Sequence, residues 1–455
     1  MSKLILNTLF LCGIFLAGCS TRSSDASFDL VRQVVKERIS EHIVWREGIE
    51  EIKQQLLQEI QQKGLTQEIG VQLALVNNPD LFAYYENLEI GYADLLEAGL
   101  MQNPFFSASI RFPSKSGYNL NNIFDAAISF LDLFFIPLRK RAAEAEIKVI
   151  ESLMGQKVLD LAQEVQVNWL EVKSLELQMA EERKLIELKE ITAVLANLQS
   201  QSGNISALQA RSREIQYKEA VEKLKGFEAE IEIGREKLNR SLGLFGKETG
   251  WKIAGEIDWK NEVSLPDLNV MEKAALENRL DIEAIRRETH LIAQKAKLKE
   301  WWTYTNLMVG ASSEKQPEGF TTTGPSISLI VPIFNHGQGE KKKYHAQLEQ
   351  TQRKLLSKAV EACSDVRGFL KTVHKYRSQL EDLESSILPS LQQQMILGQA
   401  HYNVMTLGVY GLLDLKANEL QATIERIQVL QKYKKARINL LYAVGGSFDL
   451  VRKQE

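Results

Sequence analysis

The chain has 455 residues, 44% of them hydrophobic and 25% charged, with 9 prolines against 27 glycines. That length exceeds one ordinary compact domain and allows a large core or a long repeat. A net charge of −3 offers nucleic acid no basic excess, and the same composition excludes collagen, a disordered chain, a disulfide scaffold and a bundle of membrane-crossing helices.

The first predicted element is an export signal. Lys3 gives a positive start, Leu4 to Leu16 an apolar stretch too short for a span, and Ala17 and Gly18 precede Cys19. Leu16-Ala17-Gly18-Cys19 resembles a bacterial lipobox. The resemblance implies a signal peptide over residues 1–18 and Cys19 as the fatty-acylated, palmitate-bearing first residue of the mature chain. Ser20, where retained lipoproteins carry Asp, implies the outer membrane by the same resemblance. Residues 19–64 read as a tether and a helix, polar from Ser20 to Ser27 and helical from near Phe28. With Cys12 removed and Cys19 acylated, Cys363 is the ordinary cysteine left, so no intramolecular disulfide can form. Its helical surroundings suit a small packing residue.

Beyond residue 64 the chain is duplicated. Ala74 to Leu81 lines up with Ala275 to Ile282, each reading as a short helix, a turn, and a helix capped by Asp. Phe135-Ile136-Pro137-Leu138 echoes Leu329 to Phe334, and Gly203 to Ser206 falls where Leu407 to Tyr410 falls. Landmarks in the same order predict a first repeat over 65–262, a second over 263–446 and a C-terminal tail over 447–455.

Proline is absent between Pro137 and Pro266 and between Pro332 and Pro389, where Lys, Glu, Gln and Leu dominate. Such stretches are long helices. Val158, Leu161, Val165, Val172, Leu175 and Met179 keep coiled-coil spacing. Between prolines, each repeat shows period-two alternation, predicting strands near 104–113, 123–137, 304–313 and 323–334. Phe106, Ala108, Ile110 and Phe112 lie on one side of the first strand, Ser107, Ser109 and Arg111 on the other. Phe124, Ala126, Ile128 and Phe130 alternate with Asp125, Ala127 and Ser129. Leu307, Val309 and Ala311 alternate with Asn306, Gly310 and Ser312. Ile327, Leu329, Val331 and Ile333 alternate with Ser326 and Ser328. This is the pattern of a membrane β-barrel, apolar outward and polar inward. Phe106, Ile110, Ile128, Ile327 and Leu329 are the candidate lipid-facing residues. Four strands cannot close such a barrel, and an open edge in lipid is costly. A barrel shared by three chains, twelve strands in all, meets both constraints.

These residues together resemble the TolC-like outer-membrane efflux proteins over nearly the whole mature chain, from about Leu65 to Gly446. The resemblance rests on Ala74 to Leu81, Ala98 to Pro104, Leu238 to Gly243 and Val331 to Phe334. Leu131 to Arg141, Gly203 to Ser206, Leu238 to Trp251 and Val44-Trp45-Arg46 look closest to the branch for heavy-metal cations. It implies a mainly α fold with membrane β: a trimeric twelve-stranded barrel continued as an α-helical coiled-coil tunnel. It also implies passive exit of substrate from an inner-membrane pump through a periplasmic adaptor, with no catalysis and no cofactor. Pro389 has no counterpart in the first copy, and the short loops imply a modest outer face.

By the same resemblance Asp414 lies where the tunnel narrows. Three copies would form an acidic ring, with Leu412 or Leu413 packed beside it to close the pore. Gln209 stands near the equivalent place in the first copy. A helix N-terminal Asp that merely favours the dipole is the other reading of Asp414. No Walker A, G-x-S-x-G or H-E-x-x-H motif occurs, and the six histidines keep no ligand spacing; His336 alone sits beside the Gly337-Gln338-Gly339 turn. Arg139 to Arg141 and Lys341 to Lys343 follow predicted strands, which suits either solubility and packing or anchoring at lipid headgroups. The competing class is a periplasmic coiled-coil structural or adaptor lipoprotein without a pore.

Overall fold

The computed structural model describes residues 24–39, 43–44, 48–260, 264–302, 306–331, 333–448 and 451. The signal peptide, Cys19, Trp45-Arg46 and Pro332 lie outside the described residues. Helix starts earlier than the tether reading expects. α1 (Ser24–Ile39) has Asp25 in its first turn, which favours the helix dipole. It buries Phe28, Val31 and Val35, one stripe at helical spacing. A second helix, α2 (Ile49–Lys63), follows within the segment read as one tether and helix.

The duplicated landmark takes the same shape twice. α3 (Gln67–Asn77) and α4 (Pro79–Gly99) are separated by Asn78 in extended conformation; α7 (Leu268–Asn278) and α8 (Leu280–Trp302) are separated by Arg279. In the first copy Pro79 forces the break, because the residue before proline is pushed out of the helical region. In the second, ion pairs hold Arg279, with Asp281 at 2.8 Å and Asp365 at 3.1 Å. The expected Asp caps are therefore corrected. Asn78 Oδ1 accepts the Leu81 N–H at 3.0 Å, and Asp80 is exposed. Asp281 serves the Arg279 guanidinium. Two glycines close the pseudosymmetry: Gly243 (φ 70°) lies against the Asn77 carbonyl, and Gly445 (φ 105°) against Asn278. A Cβ at either would run into that asparagine.

β1 (Phe105–Arg111), β2 (Asn121–Ser129), β3 (Asn306–Lys315) and β4 (Thr321–Ile330) form one antiparallel sheet in the order β1-β2-β3-β4. The β2–β3 ladder joins the two repeats, and β1 and β4 are the edges. β2 stops eight residues short of its expected end. Asp132 starts a 70-residue helix, α5 (Asp132–Gln201), so Phe135 to Leu138 are helical and Pro137 lies near the helix start. The echo with Leu329 to Phe334 thus sets helix against the end of β4.

α5 turns into α6 (Ala207–Leu242), which opens on a capping box of Ser206 and Gln209. Val158, Leu161, Val165, Val172 and Leu175 are buried along α5, and Met179 packs on the Leu175-Phe227-Ile231 cluster. In the second repeat α9 (Gln338–Asp382) passes through a π turn, Leu383–Ile387, into α10 (Leu388–Asn403); α11 (Val409–Ala443) returns. The π turn ends two residues before Pro389, which cannot donate to the helical ladder. The tail is docked: Val451 is buried, and the Phe448 ring centroid lies 5.7 Å from the Arg437 guanidinium.

Two compact units emerge, and each draws on both repeats. Among the described residues, one holds those of 24–31, 85–154 and 283–357, including the sheet; the other holds those of 32–84, 155–282 and 358–455. In the first, Ser27 donates to Glu151 at 2.6 Å, Arg287 pairs with Glu151 at 3.4 Å, and Phe28 packs edge-on to Tyr85. No described helix is long and apolar enough to cross a membrane.

Candidate functional site: sheet faces and hairpin tips

Partners across a ladder point to the same side of a sheet. Ala126 pairs with Phe106 and Ala311, Ile128 with Val309, Val309 with Ile327, and Leu307 with Leu329. The register therefore gathers Phe106, Ile110, Ile128, Ile327 and Leu329 on one face. Phe106 is 75% exposed and Ile327 73%. So much contiguous apolar surface is foreign to a water-facing sheet. The opposite face carries Ser107, Ser109, Asp125, Ser312, Glu314, Ser326 and Ser328. Ser107 Oγ donates to Asp125 at 3.4 Å, and Asn121 Nδ2 to Glu314 at 2.8 Å. Gly310 also lies there, so close to β2 that a Cβ would strike the Ala126 backbone. Pro325, opposite Ala311 of β3, lacks an N–H and donates no ladder bond.

Aromatic residues frame the sheet at both ends. Phe130 and Phe134 stack edge-on at 5.9 Å near the helices, where Phe334 is 91% exposed. Phe112, Tyr118 and Phe320 are exposed at the loop end. There the two loops are tied by the Asn119 N–H donating to the Pro317 carbonyl at 3.0 Å. Arg139 is no headgroup anchor. It pairs at 3.2 Å with the buried Asp132 and donates to the Leu100 carbonyl at 2.9 Å.

At the hairpin tips, α5 turns to α6 and α10 turns to α11. Met405 takes a left-handed conformation (φ 61°) in the second turn. Asp414 is the sixth residue of α11, beyond the first turn where the dipole acts. Arg213 of α6 holds both its carboxylate oxygens, at 2.6 and 2.9 Å. The same guanidinium lies 5.4 Å from the Tyr410 ring centroid, and the Tyr410 hydroxyl donates to Gln199 at 2.9 Å. The hydrogen bonds to Asp414 raise the Arg213 pKa above its ordinary value. Leu413 and Asp414 line a 680 Å³ groove with Leu188, Arg213 and Tyr410. Leu412 points elsewhere, toward Gly398 of α10. Gln209 is not the counterpart of Asp414. Counted from the caps Ser206 and Gly408, Ser212 is, and Gln209 is engaged in the capping box. Sequence reading missed Arg213, since nothing in helical periodicity couples residues 201 positions apart.

Gly337 is left-handed (φ 74°) in the turn before α9, and the His336 N–H donates to the Gln338 side chain at 2.7 Å. Among the described residues no group of three or more His, Cys, Asp or Glu is placed to hold a metal.

An open four-stranded sheet, apolar on one side and built from one β-hairpin of each repeat, with long helices following each hairpin, is the fold of the TolC-like outer-membrane channels. The CusC structure, solved in a study of folding and transmembrane channel formation, matches with TM-score 0.67 and 15% identity, covering 84% of this chain and 92% of its own. The Campylobacter jejuni CmeC outer membrane channel matches with TM-score 0.69 and 12% identity over 91% of this chain and 92% of that one. The open-state Neisseria gonorrhoeae MtrE outer membrane channel gives 0.68 and 15%, over 86% and 89%. No family model matches the sequence, and no curated protein matches it in sequence.

Proposed function

We propose that this chain is the outer-membrane duct of a tripartite efflux system, a passive exit for substrates handed on by a periplasmic adaptor from an inner-membrane pump. Three copies share one twelve-stranded barrel, and their helical hairpins extend into the periplasm. Cys19 carries the lipid anchor. The observation that carries this reading is the two-faced sheet with unpartnered edges: its apolar side suits lipid, and its Ser, Asp and Glu side suits a watery lumen. At the tips, the Arg213–Asp414 pair supports a gate that is a neutralised latch between α6 and α11, with Leu413 beside it, in place of a bare acidic ring.

Arginine substitution tests the duct. Ile128→Arg or Leu329→Arg, on the lipid side, should each cost about 2–4 kcal/mol near the bilayer midplane. Ser109→Arg and Ser328→Arg, on the lumen side, should assemble normally. Equal loss of assembled protein from both sets would contradict the reading.

A further inference from the structure

We propose that the α8–α9 junction is a docking collar for the phosphate headgroups of anionic phospholipid, on the side of the membrane from which the helices emerge. The proposal rests on the outer-membrane reading. β4 carries the apolar face down through Ile327 and Leu329, and the chain beyond it stays apolar and open: Val331, Ile333 and Phe334 are 61%, 65% and 91% exposed. Cationic residues follow after the segment Asn335 to Glu340. Lys341, Lys342 and Lys343 are all exposed in the first two turns of α9, and Lys297 is exposed on α8. Lys297, Lys299 and Lys341 line one 250 Å³ groove together with Glu300 and Glu340. Both carboxylates are engaged across it, Glu340 with Lys299 at 3.4 Å and Glu300 with Lys341 at 3.8 Å. Lys297, Lys342 and Lys343 make no ion pair among the described residues.

An apolar, aromatic band followed by unneutralised lysines matches the order of a lipid leaflet, acyl boundary first and phosphate layer next. An acidic protein partner would account for the lysines but not for an open Ile333 and Phe334. In the other basic run the charge of Arg139 is consumed by Asp132, while Lys140 and Arg141 are exposed.

The test uses the full-length chain reconstituted in phosphatidylcholine vesicles that contain a trace of spin-labelled phosphatidylglycerol or spin-labelled phosphatidylcholine. Wild type should hold the anionic label roughly fivefold more tightly than the zwitterionic one. The triple variant Lys297→Gln, Lys342→Gln, Lys343→Gln should insert equally well and lose that preference, and the corresponding Lys→Arg triple should keep it. Equal preference in wild type and the Gln triple, with both inserted, would overturn the collar and leave the duct intact. Failure of wild type to insert would overturn both.

Discussion

Arg213 and Asp414 set the physical scale of any latch at the tips. Both oxygens of Asp414 are bonded, but its side chain is 52% exposed, so the pair is a screened surface contact worth up to about 1 kcal/mol. A contact of that size can be broken by a docking partner. Arg213→Ala and Asp414→Ala should therefore each raise the resting conductance in planar bilayers, and the double variant should add little to either. Independent, additive effects, or none, would mean that the pair only packs α6 against α11. The sequence marks Asp414 as a residue at the tips; its partner Arg213 was not legible. The alignment of the copies drew attention to Gln209, whose capping role follows from Ser206 three residues earlier. Arg213 lies on a helix dense in charge, where no spacing marks one arginine from its neighbours.

Among elements, the most informative irregularity is the π turn Leu383–Ile387. It presents Glu384 to three donors: Arg426 Nε at 2.7 Å, Lys260 at 3.1 Å and the Trp259 indole at 3.2 Å. Burial alone would raise the Glu384 pKa, but hydrogen bonds from Arg426, Lys260 and Trp259 outweigh it and hold the carboxyl below its ordinary value. A depressed carboxyl contributes stability that is present above the unfolded pKa, about 4.3, and lost as pH falls through the folded value. Glu384→Gln should thus lower stability at neutral pH by about 1–3 kcal/mol, with the gap closing below about pH 4 in thermal unfolding. A gap unchanged across that range would remove the clamp. Pro389 signalled an interruption in the sequence, yet the clamp on the bulge ahead of it draws on side chains from two distant segments. The end of β2 was hidden for a similar reason. Phe135 to Leu138 is apolar and holds a proline, as a strand end would, but Asp132 caps the matter. Buried and bonded to the Gln102 N–H at 2.9 Å and to Arg139, it starts α5 six residues before that pattern closes.

For the whole molecule, the duplication was readable because matched breaks recur at Asn78 and Arg279 and matched glycines at Gly243 and Gly445. Period-two alternation placed all four strands to within a few residues, apart from the end of β2. What periodicity could not convey is that the repeats interleave. β2 of one copy pairs with β3 of the other, and each compact unit takes segments from both. The pairing leaves β1 and β4 as outer edges, and lipid penalises each unpaired backbone group by several kcal/mol. Closure by further copies resolves that penalty, and three copies reach twelve strands. The mass of the intact particle, extracted from the outer membrane in mild detergent and measured natively, tests this most directly. Three chains per particle is the expected result; a particle holding a single chain would contradict the shared barrel and with it the duct.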